Sequence, residues 1–146
     1  MRPIESDSSS TPNDRELSRK ILTISPTLED HDALRRILQE PDWSIKCAFS
    51  YQQGLACLCR DRMDIILCDC HLPDGAWRDI LSHIAAMTQP PSVIVMSATA
   101  DANLRAEVRT LGGYQLLSKP FLPEEVERVV STAWQERVET GALVPA

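Results

Sequence analysis

Asp64-Ile65-Ile66-Leu67-Cys68-Asp69-Cys70-His71-Leu72-Pro73-Asp74-Gly75 is the stretch whose reading decides the fold. Its first half is apolar at consecutive positions, so both faces of the strand need cover. That marks a central strand of a parallel sheet rather than a half-solvated one. The run ends in Asp69, and an acid closing an apolar strand is costly unless it is used or reaches water. His71 to Gly75 then supplies turn chemistry.

Upstream, Ile21-Leu22-Thr23-Ile24 is a short apolar run bounded by Ser25-Pro26, the pattern of a buried strand. Ser25 is placed to cap a following helix, Pro26 suits its first position, and Glu29 and Asp30 favour the positive end of its dipole. Leu34, Ile37 and Leu38 give that helix a buried face, and Glu40-Pro41 stops it. A second strand is expected over 44–49. Ser50 and Gln53 then form a capping box, with Leu55, Leu58 and Cys59 as the inward stripe.

Downstream, a helix is predicted over 76–87 with Trp77, Ile80, Leu81 and Ile84 inward. Ser92 to Met96 reads as a fourth strand. A helix follows over 102–111, facing inward through Leu104, Val108 and Leu111 and ended by Gly112. Tyr114 to Ser118 is the fifth strand. Pro123 opens a last helix with Val126, Val129, Val130, Ala133 and Trp134 as its stripe; Trp134 is weighed as core packing against a contact-surface role. Strands alternating with helices through short links argue for an α/β domain whose parallel sheet is covered on both faces.

Ligands in such sheets collect at the carboxyl ends of the strands. Here those ends bring Ser25-Pro26, Asp69, Ser97 and Lys119 together: a hydroxyl, an acid and a lysine in one place.

The 146 residues suit one domain, expected over 19–138, between a polar N-terminal tail (1–18) read as disordered and a C-terminal tail (139–146). Net charge is −6 with no basic cluster, which disfavours nucleic acid as a partner. No apolar run approaches the roughly 20 residues of a membrane span, and no signal peptide opens the chain. A cytoplasmic location without membrane contact is expected. The five cysteines lack zinc-site spacing and read as small buried residues.

Asp64–Gly75, DIILCDCHLPDG, resembles the third strand and following loop of response-regulator receivers, in which the strand ends in a phospho-accepting aspartate. Val93–Asp101, VIVMSATAD, resembles the fourth strand with its switch hydroxyl, here Ser97. Leu116–Phe121, LLSKPF, resembles the Lys-Pro-Phe after the fifth strand, with Lys119 as the lysine and its bond to Pro120 usually cis. The resemblance implies a flavodoxin-like (βα)5 three-layer sandwich with strand order 2-1-3-4-5, a phospho-acceptor at Asp69, and supporting roles for Ser97 and Lys119.

Two departures stand out. The acidic pair that positions Mg²⁺ after the first strand is replaced by Ser25 and Pro26, which leaves Asp69 as a weak Mg²⁺ site alone. Glu29 and Asp30 are expected a helical turn away from the metal position. The aromatic three residues before the lysine is replaced by Leu116. Tyr114, two residues earlier, is expected on the same face of the strand. His71 and Thr99 flank the site at its two rims and read as exposed loop residues.

The function implied is a phosphorelay receiver that takes a phosphoryl group at Asp69 from a histidine kinase or phosphotransfer protein, with weak or atypical metal dependence. It is not an enzyme beyond its own phosphorylation. Its output contact, with a downstream protein or a second copy, is expected on the face of helix four, strand five and helix five, since no DNA-binding module is seen after residue 140. The alternative is a phosphorylation-independent pseudo-receiver acting as an interaction module. A flavin-type binder of the same architecture would need a phosphate-cradling loop that Ser25-Pro26-Thr27-Leu28 does not resemble.

Overall fold

The computed structural model describes residues 19–139, so the expected N-terminal tail and nearly all of the C-terminal one lie outside the described residues. The elements are β1 (Arg19–Ile24), α1 (Leu28–Ile37), β2 (Trp43–Ala48), α2 (Tyr51–Arg60), β3 (Ile65–Asp69), α3 (Trp77–Ile84), β4 (Ser92–Ser97), α4 (Ala102–Thr110), β5 (Gln115–Ser118) and α5 (Pro123–Glu139). All pairings within the five-stranded sheet are parallel, and its strands lie in the order β2-β1-β3-β4-β5. The expected strand order is the observed one.

β3 has apolar residues buried on both faces, Ile65 to Cys68, because helices cover both sides. Leu34 and Leu38 of the α1 segment and Val126, Val129, Val130, Ala133 and Trp134 of α5 pack on Ile65, Leu67, Ile94 and Met96. On the other face Leu58, Trp77, Ile80, Ile84 and Val108 cover Ile66, Cys68, Val93, Val95 and Leu116. Trp134 is buried against an edge-on Trp43, with the Arg19 guanidinium near both rings. Its place is core packing rather than a contact surface.

Several local expectations need correction. α1 starts at Leu28 with Thr27 as N-cap, not at Pro26, because the Ser25 hydroxyl accepts the Thr27 N–H in a tight strand-end turn. Gln53 reaches back to the Phe49 N–H rather than to Ser50, although Ser50 does cap α2. The inward stripe of α2 is Gly54, Cys57 and Leu58, and Cys59 points to solvent. A Cβ on Gly54 would come within 2.7 Å of Ile24 Cδ1, so the stripe begins with a residue small enough to seat the helix on the sheet. Leu111 is 47% exposed, because it lies beyond the last turn of α4 that packs on the sheet. Gly112, with φ of +98°, ends that helix as expected.

Candidate functional site

The site lies at the carboxyl end of the sheet. The Lys119–Pro120 peptide bond is cis, as the resemblance implied. Lys119 follows β5 and is tied to β4 by its N–H to the Ser97 carbonyl, 3.0 Å. Its Nζ donates to Asp69 Oδ2 at 3.1 Å and to Asp30 Oδ2 at 2.6 Å. The sequence reading put Lys119 beside Asp69, and there it lies.

Asp30, expected a helical turn away from the metal position, shares the Lys119 ammonium with Asp69, a contact that its sequence spacing does not reveal. The cause is the late helix start: with Thr27 as N-cap, Asp30 belongs to the first turn, which faces the strand ends. The Ser25 hydroxyl donates to the same Asp30 Oδ2 at 2.7 Å. Ser25 thus turns from a helix cap into a holder of an acid.

The electrostatics follow from this geometry. Burial by itself would raise the Asp30 pKa, but the hydrogen bonds from Lys119 and Ser25 outweigh it and hold the carboxyl below its ordinary range. Burial by itself would lower the Lys119 pKa. Its bonds to Asp30 and Asp69 win, and the ammonium is held above the ordinary lysine range.

Ser97 is buried at the end of β4. Its Oγ accepts the Thr99 N–H at 3.0 Å and lies 3.2 Å from the Thr99 hydroxyl, repeating the turn that Ser25 makes with Thr27. Thr99 and His71 are exposed at the rim. Burial pushes the Cys70 thiol up, partly offset by a hydrogen bond with Ser97, and burial pushes Cys68 up further. Neither thiol has the depressed pKa of a reactive cysteine.

His31, unremarked in the sequence, fixes the Ser25 loop from beneath. Its Nε2 lies 2.9 Å from the Ser25 carbonyl and its Nδ1 lies 2.8 Å from the Thr23 hydroxyl. A carbonyl only accepts, so Nε2 carries the proton. The i, i+3, i+7 spacing of His31, Leu34 and Leu38 was the available signal, a polar member in a buried stripe.

Beyond Asp69, His71–Leu72 and Gly75–Ala76 pair as a small antiparallel hairpin rather than a plain turn. Asp74 at its tip accepts the N–H groups of Tyr51 (2.7 Å) and Gln52 (3.1 Å), tying the loop to the N-terminus of α2. Those bonds hold the Asp74 carboxyl below its ordinary range. A depressed folded pKa contributes stability above the unfolded value and loses it as pH falls through the folded one. Asp74→Ala is therefore expected to lower the melting temperature at pH 7, with the gap to wild type closing below about pH 4. Thermal melts across that range check it; a gap that is constant with pH would mean the tie is not ionic.

The donor set does not fit the divalent cation that the resemblance implies. Ser25 and Pro26 offer no carboxylate, and both Asp30 and Asp69 spend an oxygen on Lys119. Among the described residues no group of three or more His, Cys, Asp or Glu could hold a metal ion.

Tyr114 does not stand in for the missing aromatic. It precedes β5 and packs with the α5 side, its hydroxyl donating to Glu136 at 2.9 Å, whereas Leu116 is buried with the α4 side. The two are not on one face, because strand alternation does not extend back to Tyr114. Burial and the neighbouring Glu136 push the Tyr114 pKa up to about 12.

A family model described as the response regulator receiver domain matches residues 28–131. The chain belongs to the receiver domain family of response regulators. It is 25% identical over 116 residues to the hydrogenase transcriptional regulatory protein HoxA of Bradyrhizobium diazoefficiens, covering 79% of this chain and 24% of that protein. The chain thus spans about a quarter of the length of that relative. Among solved structures, the signal receiver domain assigned to a Luxo repressor protein of Vibrio parahaemolyticus superposes with TM-score 0.82 at 18% identity, covering 89% of this chain and all (100%) of that one. The chemotaxis response regulator CheY4 of Vibrio cholerae gives 0.71 at 17% identity, covering 79% and 98%. Among the described residues no helix is long and apolar enough to cross a membrane.

Proposed function

We propose that this receiver accepts a phosphoryl group on Asp69 from a phosphohistidine donor, a histidine kinase or phosphotransfer protein, with at most weak dependence on Mg²⁺. The observation that carries the reading is the contact between Lys119 Nζ and Asp69 Oδ2 at 3.1 Å, at the carboxyl end of the central strand. Asp69 is the nucleophile. Lys119 supplies positive charge for the equatorial oxygens in the loose transition state, and the buried Ser97 hydroxyl is the neighbouring hydrogen-bond donor. No external substrate is turned over: the reaction ends on the protein's own side chain. Output passes by contact with a downstream protein or a second copy at the face of α4, β5 and α5, in the cytoplasm, without nucleic acid or membrane.

The test is intact mass after incubation with acetyl phosphate, with and without Mg²⁺, beside Asp69→Asn. The expected result is one phosphoryl adduct, absent in Asp69→Asn and little changed by chelating the metal. A folded protein that takes no adduct under any of these conditions would leave the second reading, a phosphorylation-independent interaction module. Ser25 and Pro26, which stand where receivers carry the metal-positioning acids, favour that alternative.

A further inference from the structure

Phosphoryl transfer to Asp69 gives Asp30 no task, yet Asp30 lies closer to Lys119 than the acceptor does, 2.6 Å against 3.1 Å. With both oxygens on one nitrogen, the two carboxylates sit less than about 6 Å apart. Two carboxylates and one ammonium leave this centre one charge negative before any donor arrives. A phosphoryl donor is itself anionic, and transfer leaves a dianionic group on Asp69. Lys119 must then serve that group, and it can do so fully only by leaving Asp30. The Ser25 hydroxyl, 2.7 Å from the same Asp30 oxygen, keeps the acid from turning away.

We propose that Asp30 is a built-in competing anion, which restrains phosphorylation of Asp69 by drawing on Lys119 and by placing a second negative charge beside the acceptor. This role rests on Asp69 being the phosphoryl acceptor. Asp30 is thereby a positioning residue that acts through Lys119. In the transfer itself an Asp69 carboxylate oxygen attacks phosphorus, the bond from phosphorus to the acetate oxygen of acetyl phosphate breaks, and acetate leaves with the electron pair. No proton moves. The ammonium shifts from the Asp30 oxygen to the phosphoryl oxygens. A groove of about 750 Å³ lined by Asp30, Lys119 and Phe121 opens on the α1–α5 side of the ammonium, and Asp69 does not line it.

The experiment compares wild-type chain, Asp30→Asn and Asp30→Glu for the initial rate of adduct formation from acetyl phosphate, with Mg²⁺ and with chelator. Asparagine keeps an oxygen for Ser25 while removing the charge. Asp30→Asn is expected to react on the order of tenfold faster in both conditions, the factor that one like charge removed at this range commands. Asp30→Glu, which restores the charge, is expected to fall back towards wild type, a return that a purely structural effect would not produce. An unchanged or slower rate in Asp30→Asn overturns the proposal, and slowing confined to the Mg²⁺ arm would make Asp30 a metal ligand instead.

The sharing of Lys119 has a readout that needs no phosphorylation. The NMR titration midpoint of the Asp30 carboxyl is expected to fall in Asp69→Asn, where the ammonium is undivided and the neighbouring charge is gone. A midpoint that stays put overturns the sharing. No adduct on either wild type or Asp30→Asn overturns the acceptor reading and the restraint with it, while the NMR result still reports separately on Lys119.

Discussion

Lys119→Met is expected to abolish phosphoryl transfer to Asp69 and to destabilise the domain by about 1–3 kcal/mol at neutral pH. One ammonium serves two carboxylates here, with side-chain exposures of 20% for the lysine and 14% and 13% for Asp30 and Asp69. Methionine fills the same space but leaves two half-buried like charges facing each other. Removing one partner of such a set costs more than the pair contributes, because the remaining groups keep their desolvation penalty. Water reaches these groups in part, which keeps the figure below that of a deep pair.

The pH dependence separates this cause from a packing defect. In wild type the depressed Asp30 pKa means stability is lost as pH falls through the folded value, and the raised Lys119 pKa means it is lost as pH rises through that group's folded value. Without the lysine, the carboxyls gain from binding a proton in the folded state. The deficit of Lys119→Met should therefore be widest near pH 7 and shrink in acid, as denaturant melts at pH 7 and about pH 4 would reveal. A deficit of equal size at both would assign the loss to packing.

Trp77→Ala is expected to cost about 3–5 kcal/mol, a large share of the stability of a domain this size. Trp77 opens α3, directly after the hairpin that follows Asp69, and its side chain is fully buried with Ile80, Ile84 and Val108 on the sheet. The indole Nε1 is buried and has no hydrogen-bond partner among the described residues. Trp77→Phe removes that unpaired donor along with part of the ring, so its cost should be well below that of alanine. Urea unfolding of the two variants tests both halves; equal losses would mean that the indole N–H is satisfied or that the site cannot adjust to a smaller ring.

Much of the fold was legible in the chain itself. The Ile65–Cys68 run needed cover on both faces, so it required a central parallel strand, and the helix stripes that supply the cover repeat at helical spacing. Asp69 and Ser97 each close a strand and Lys119 directly follows one, and a parallel sheet brings strand ends together whatever the loops do. Local patterning fixes those features because strand and helix periods are properties of neighbouring residues.

Where a side chain points from an element's end is a different matter. Moving the start of α1 by two residues carried Asp30 from an outlying turn into the ion centre. Tyr114 lost its place in the strand alternation by lying one residue outside β5, and then found Glu136. His31 was hidden because its partners, Thr23 and Ser25, become neighbours only when α1 folds back on β1. The sequence by itself determined a parallel sheet of the receiver type with an acid, a hydroxyl and a lysine at its carboxyl edge. Only the tertiary structure decided that a second acid answers the same lysine, since residues 30 and 119 meet through packing across the chain, and no local spacing encodes a contact at that separation.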